Sequence, residues 1–377
     1  MTQNKHSIPF HQAAIGQDEI DAVVDTLKSG WLTMGPKTIA FEAQFSQKIG
    51  VAHAVSMNSA TACLHLALKA IGLKEGDEVI LPTTTFVATA EVVTYFKAIP
   101  VLCDINDRDH NIDVSKIEAL ITPKTKAIIP VHFSGIPCDM DAIGAIAKKH
   151  QLKVIEDAAH ALPSEYKGKK VGQISDITCF SFYATKTLAT GEGGMATTNN
   201  DDYAKSMKIN RLHGISKDVW NRYSETGHWY YEVVDNGFKY NMTDVASAMG
   251  LIQLNRLDTL NQKRFQIAQK YNEAFKNNPK VKCLEFDDHC KSSWHLYVIK
   301  VKERDRLMSV LKESGIGTSL HFIPVHHHPY YKETYQYKIS DFPVANQVYN
   351  TSISLPIFPE LSLDSVAIIS DIINQHA

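Results

Sequence analysis

Between Val154 and Met195 the chain sets two acids, a lysine and a glycine-rich turn at spacings that suit amine chemistry. Val154-Ile-Glu-Asp-Ala-Ala-His160 reads as an apolar strand that delivers Glu156 and Asp157 at its carboxyl end. Open α/β sheets bind ligands beyond the carboxyl ends of their strands, so an acid there can serve a ligand. The plain alternative is a helix cap. Lys186 stands 29 residues after Asp157, behind the apolar run Ile177–Phe182 and ahead of Thr190-Gly-Glu-Gly-Gly194. Burial lowers a lysine's pKa and frees its amine to form a Schiff base. Alone, Lys186 reads as a surface lysine; beside the acid and the glycine turn it reads as the nucleophile.

A third group, Ser56-Met-Asn-Ser-Ala-Thr61-Ala, places small hydroxyls and free backbone N–H groups at the start of a helix. Such a start is an anion site suited to phosphate, or else an ordinary cap. It is not a P-loop, because no Gly-Lys-Ser/Thr follows, and no G-x-G-x-x-G follows a strand. Together the lysine, the acid and the phosphate cup describe a pyridoxal phosphate site. That cofactor needs an amine to hold it, a carboxylate to keep its ring nitrogen protonated and a seat for its phosphate.

The elements that must position these groups alternate. Helical patterns cover Ile20–Lys28, Thr61–Ala70, Val114–Leu120 and Asp141–His150. Short apolar runs at Glu78–Leu81, Ile99–Leu102, Ala127–Val131 and Lys153–Ile155 lie among them. Alternation with continuous apolar strands predicts an α/β fold with a mainly parallel sheet covered on both faces. After about residue 250 the pattern changes: a long helix over Leu251–Phe275, a β-branched and aromatic run at Trp294–Val301, and helices at Arg304–Ser314 and Leu363–Ile373. This predicts a large domain over 13–250 and a smaller α+β domain over 251–377, with segment 1–12 packing on the smaller one.

Composition narrows the function classes. The 377 residues carry 39 Lys+Arg against 41 Asp+Glu, a formal charge of −2, which argues against a nucleic-acid surface. No apolar run is long enough to span a bilayer, and Met1–Gln12 lacks a signal-peptide core, so the expected location is the cytoplasm, away from membranes. The six cysteines are scattered without a metal-knuckle spacing and read as small buried hydrophobes.

At this level the sequence resembles the sugar aminotransferases of the DegT/DnrJ/EryC1/StrS family. The likeness runs from Ile8-Pro-Phe10 and Ser29-Gly-Trp-Leu-Thr-Met-Gly-Pro36 to Ser354-Leu-Pro-Ile-Phe358. Its motifs are NSATA, GDEVILPTTTFVAT, IIPVHFSG, VIEDAAHA, FSFYATK, GEGG and FKYNMTD. The resemblance implies the fold-type I, aspartate aminotransferase-like architecture, with a seven-stranded sheet in the large domain. Within the family the likeness is greatest to the members that form UDP-4-amino-4-deoxy-L-arabinose.

By that resemblance Lys186 and Asp157 are catalytic: Lys186 is the Schiff-base lysine and proton shuttle, and Asp157 pairs with the pyridine nitrogen. His160 lies near the cofactor's O3′ hydroxyl. Ala60, Thr61 and Ser181 hold the phosphate, and Phe86 stacks on the ring. Family sites are shared within a homodimer, so Asn241 or Lys239 of Gly237–Asp244 reaches the partner subunit's phosphate; many relatives read Gly-x-Asn-x-Arg there. Thr33, His321, His326 and Tyr331 are implied to border the sugar nucleotide. Three adjacent histidines, His326–His328, cannot converge on one ion without strain, so no metal is expected and a polar substrate loop is favoured; for His321 a core histidine stays open.

The implied reaction is transamination from L-glutamate to a nucleotide-linked keto-sugar, most simply a 4-keto sugar on UDP. A 3-keto sugar on dTDP or GDP is the alternative, with substrate choice in the loops Asp218–Glu232 and Ile323–Tyr335. A family dehydratase would carry His in place of Lys186, a nicotinamide dehydrogenase lacks its fingerprint here, and a non-catalytic regulatory member would carry gaps in the site.

Overall fold

The computed structural model describes residues 7–216 and 230–377. Most of the expected Asp218–Glu232 loop therefore lies outside the described residues, as does the start of segment 1–12. The apolar runs form one seven-stranded sheet in the order His53–Met57, Gly194–Thr198, Ile177–Ser181, Lys153–Asp157, Thr125–Ile128, Glu78–Pro82, Ile99–Cys103. Gly194–Thr198 alone runs against its neighbours; the other pairings are parallel. Ile177–Ser181 and Gly194–Thr198 are buried at every residue, as strands covered on both faces must be.

Register gathers the chemistry at one edge. Asp157, the last residue of its strand, faces Cys179, and Ser181 faces Gly194. Gly194 also pairs with Met57, just ahead of the helix Ala60–Ala70. Because Gly194–Thr198 is antiparallel, it is its first residue that reaches this edge, beside the carboxyl ends of the parallel strands.

Several expected boundaries shift for local reasons. The strand expected at Ala127–Val131 is Thr125–Ile128; beyond it Pro130 offers only a carbonyl, which accepts the Asp157 N–H at 2.9 Å. The run Trp294–Val301 yields a strand only at Tyr297–Lys300, because Trp294 turns at φ 52°. The long helix begins at Asp244 rather than Leu251, capped by Thr243, whose hydroxyl accepts the Ala246 N–H at 3.2 Å.

That helix, Asp244–Phe275, passes straight through the expected boundary at 250/251. Its first half packs at Gly250 on Phe41, where a Cβ would come 2.8 Å from the ring. Its second half, with Ile267, Tyr271 and Phe275, joins Ile299, Ile353, Leu355 and Ile369 in a separate core. Here a three-stranded antiparallel sheet forms from Lys282–Cys283, Tyr297–Lys300 and Ser352–Leu355. Ile8 bridges to Ile316 and packs against the same core.

The stretch 325–348 departs from the expectation for 251–377. Val325, Tyr331, Phe342, Ala345 and Val348 pack into the core of the large sheet with Leu66 and Leu102. The buried Asp104 carboxylate accepts the N–H groups of Val344 and Ala345, at 3.2 and 2.9 Å, at the start of the helix Pro343–Thr351. Among the described residues no helix is long and apolar enough to cross a membrane, and all six cysteines are free thiols.

Candidate active site

At the carboxyl edge of the sheet lies a cavity of about 620 Å³ lined by Ala60, Thr61, Phe86, Asp157, His160, Ser181, Lys186 and His321, among others. Residues remote in sequence thus meet as the motifs require. Lys186 rides a tight loop: its N–H donates to the Tyr183 carbonyl at 2.8 Å, while Phe182 and Thr190 close the loop's ends at 2.9 Å.

Burial sets the charge states. Enclosure lowers the Lys186 amine from 10.5 to about 8, against the opposing pull of Asp157. Burial raises the Asp157 carboxyl, and four groups, Thr89, Ala159, Lys186 and His132, work against that rise. The Thr89 hydroxyl donates to Oδ2 at 2.8 Å, the Ala159 N–H donates to Oδ1 at 3.1 Å, and Lys186 adds its charge. Behind this strand end Glu156 does structural work: it bridges His132 and the Thr178 hydroxyl, each at 2.7 Å, fully buried.

The phosphate-like end is built from a close approach. Ser59 caps the helix Ala60–Ala70 by accepting the Ala62 N–H at 3.1 Å, which leaves Ala60 and Thr61 as first-turn donors lining the cavity. A Cβ on Gly194 would sit 2.6 Å from the Ser59 carbonyl carbon and oxygen and 2.7 Å from the Ala60 nitrogen. Glycine at the end of Gly191–Gly194 is therefore what lets the strand seat this helix start. Ser181 sits opposite it in the register.

Rings and histidines line the remaining wall. Phe86 is 59% exposed at the cavity and lies 5.9 Å from Phe322, centroid to centroid. Phe322 stacks on His160 at 5.8 Å, and Phe10 stacks on His321 at 5.7 Å. The Ser134 N–H donates to His160 Nδ1 at 3.3 Å, and burial holds His160 well below its usual pKa. His321 bonds the Ser354 hydroxyl at 2.9 Å and is pushed down to about 4, chiefly by burial. His295 was missed from sequence: its Nε2 lies 3.4 Å from Lys186 Nζ. The available signal was a lone imidazole inside the apolar run Trp294–Val301.

Five expected residues lie elsewhere in this chain. His326 is fully buried, with Thr83 on Nδ1 at 2.6 Å and Asn346 on Nε2 at 3.1 Å, and it stacks on Phe342. Tyr331 is buried in the core of the large sheet. His326 on the turn Val325–His327 and Tyr331 on the helix Pro329–Tyr335 both pack inward, and neither lines the cavity. Thr33 is exposed outside the cavity, its carbonyl accepting the Asp244 N–H at 3.2 Å. Lys239 is exposed, and Asn241 is buried with its amide on the Met242 carbonyl at 3.4 Å; neither lines the cavity. Among the described residues no His, Cys, Asp or Glu cluster is placed to hold a metal.

The donor set fits pyridoxal phosphate. One desolvated amine, one carboxylate held by neutral donors, a helix start for a dianion and aromatic walls share a cavity of suitable size. The buried Nδ1 of His295, on the wall of the cavity, has no protein partner.

Comparison with known proteins agrees. The model of the DegT/DnrJ/EryC1/StrS aminotransferase family matches residues 13–374. The spore coat polysaccharide biosynthesis protein SpsC of Bacillus subtilis is 49% identical over 371 residues, covering 97% of this chain and 95% of that protein. Among solved structures, Spr1654 of Streptococcus pneumoniae, described as a sugar aminotransferase and captured in its PMP form, aligns with a TM-score of 0.93. It is 35% identical over 98% of each chain. Helicobacter pylori PseC, an aminotransferase involved in the biosynthesis of pseudoaminic acid, aligns with a TM-score of 0.91 at 31% identity, again over 98% of each chain.

Proposed function

Because the chain belongs to the DegT/DnrJ/EryC1/StrS aminotransferase family, we propose that it moves an amino group from L-glutamate to a 4-keto sugar carried on UDP. It is a pyridoxal phosphate-dependent sugar aminotransferase. The observation that carries the reading is the meeting of Lys186, Asp157 and the Ala60–Thr61 helix start in one cavity. The polysaccharide role in SpsC's name and the sugar role of Spr1654 support a sugar acceptor.

Bound pyridoxal phosphate supplies an electron sink that weakens the C–H bond beside the transferred nitrogen. The chain's own residues do the rest. Lys186 Nζ takes that proton and returns it one atom pair away, a task suited to an amine near pKa 8. Asp157 supplies the fixed negative charge that a protonated ring nitrogen needs, and Thr89 and the Ala159 N–H keep that carboxylate ionised. The helix start at Ala60 and Thr61, with Ser181, seats the phosphate. Phe86, Phe322 and Phe10 supply the apolar lining of the site.

Two further elements belong to the same reading. The enzyme works as a homodimer, in which Asn241 or Lys239, both set outside their own chain's cavity, reaches the phosphate of the partner subunit. Free thiols throughout suit a reducing compartment, and we place the reaction in the cytoplasm.

The test loads the enzyme as its amine-carrying form with L-glutamate, removes the donor, and adds a panel of 4-keto and 3-keto sugars on UDP, dTDP and GDP. The expected result is fastest return of the original cofactor absorbance with a UDP-linked 4-keto sugar. If no keto sugar reacts while a 2-oxo acid does, the sugar reading is wrong.

A further inference from the structure

His295 is held in place by more restraints than packing alone requires. It follows Trp294, which adopts the left-handed φ of 52° that a bulky residue rarely takes. Arg264, fully buried on the long helix, directs its guanidinium to this turn and to Ile357. Its Nη1 donates to the carbonyls of Trp294, His295 and Ile357 at 3.4, 3.3 and 2.8 Å. One residue further back, the Ser293 hydroxyl donates to the His160 carbonyl, and the Ser293 N–H donates to Ser164 at 3.1 Å. Gly135 leaves room for that stitch: a Cβ there would lie 1.9 Å from the Ser293 hydroxyl.

The restraints have one visible product. The His295 ring is 5% exposed, lines the cavity, and faces Lys186 Nζ across 3.4 Å through Nε2. Its other nitrogen has no partner in the chain. A histidine that only filled space would be expected to satisfy both nitrogens locally; this one, packed against His160 at 4.4 Å, has its one side-chain hydrogen bond to the amine.

We propose that His295 is the positioning residue for Lys186: its Nε2 lone pair accepts a hydrogen bond from Nζ whenever that amine is not covalently engaged. The amine then waits at one place between covalent engagements instead of sampling the cavity. This rests on the reading of Lys186 as the cofactor lysine, but concerns only groups of this chain.

The arrangement needs His295 to be neutral, and its surroundings enforce that. Burial, Lys186, His160, Arg264 and His321 all disfavour its charged form. The charged or titratable groups that bear on Lys186 are Asp157, which favours its ammonium, and the histidines His11, His160, His295 and His321, all held below their usual pKa. A neutral acceptor on the ammonium stabilises the charged lysine, so His295 partly offsets the desolvation that lowers it. Removing that acceptor must lower the lysine further.

The test uses cofactor-free protein and competitive acetylation with acetic anhydride, reading the Lys186 peptide by mass spectrometry across pH. Wild type should titrate near 8. His295→Leu, folded by circular dichroism, should titrate lower by about one pH unit, while His295→Gln, which keeps an acceptor, should stay within about 0.3 of wild type. Equal midpoints in all three overturn the proposal. Should His295→Leu fail to fold, wild-type protein labelled with nitrogen-15 histidine decides the matter. One imidazole signal, identified by its loss in His295→Gln, should move with the Lys186 titration and stay still in Lys186→Met; a signal indifferent to Lys186 overturns the proposal. Failure of the cofactor reading shows differently, as Lys186→Met protein that binds pyridoxal phosphate and transaminates like wild type.

Discussion

The Thr89 hydroxyl donates to Oδ2 of Asp157 at 2.8 Å, and the Thr85 hydroxyl stands 2.7 Å behind it. All three residues are buried, and the Thr89 bond is the first among the groups that oppose the burial raising the Asp157 pKa.

Thr89→Val should therefore raise Asp157 further. A carboxylate with a raised pKa is lost to protonation earlier as pH falls, so the acid limb of kcat/KM should move upward by about one pH unit. Well above that limb the change should be small; on it, activity should drop about tenfold. The pH–rate profile checks this, and an unmoved acid limb would show that Thr89 does not govern the carboxylate.

Gly194→Ala puts a methyl group 2.6 Å from the backbone of Ser59. Neither partner is a flexible side chain, so the helix start and the strand must separate. Cofactor affinity should fall by about tenfold or more, because first-turn N–H groups hold an anion only at hydrogen-bond distance. Titration with pyridoxal phosphate measures it, and wild-type affinity would mean that the phosphate lies elsewhere.

Asp244 serves stability rather than chemistry. Its buried carboxylate accepts from the N–H groups of Gly35, Lys37 and Thr38 at 2.8, 3.0 and 2.9 Å, and from the Thr38 hydroxyl at 2.7 Å. It thereby ties the long helix to the start of Pro36–Ile49, linking two motifs more than 200 residues apart. Asp244→Ala should cost about 3 kcal/mol and lower the Tm by several degrees, with Asp244→Asn in between. Calorimetry of the three proteins tests the order.

The part of the site carried by contiguous signals was legible in the sequence. Lys186, Asp157 and the Ser59–Thr61 helix start each lie in a run that announces both its element and its chemistry, and the strands bearing them follow from continuous apolar runs. What escaped was contact between distant segments. His295 meets Lys186 across 109 residues, and Thr89 meets Asp157 across 68; neither pairing leaves a local trace. His326 and Tyr331 misled for the converse reason. They neighbour His321 in sequence, but the turn Val325–His327 and the helix Pro329–Tyr335 carry them into the core, where Thr83 and Asn346 occupy His326.

The central claim is that Lys186 holds the cofactor in this cavity. Reducing the pyridoxal phosphate-loaded enzyme with borohydride and mapping its peptides by mass spectrometry tests that claim most directly. The account predicts one pyridoxyl group per chain, on the peptide that contains Lys186. A pyridoxyl group fixed on any other lysine, with Lys186 unmodified, would contradict it.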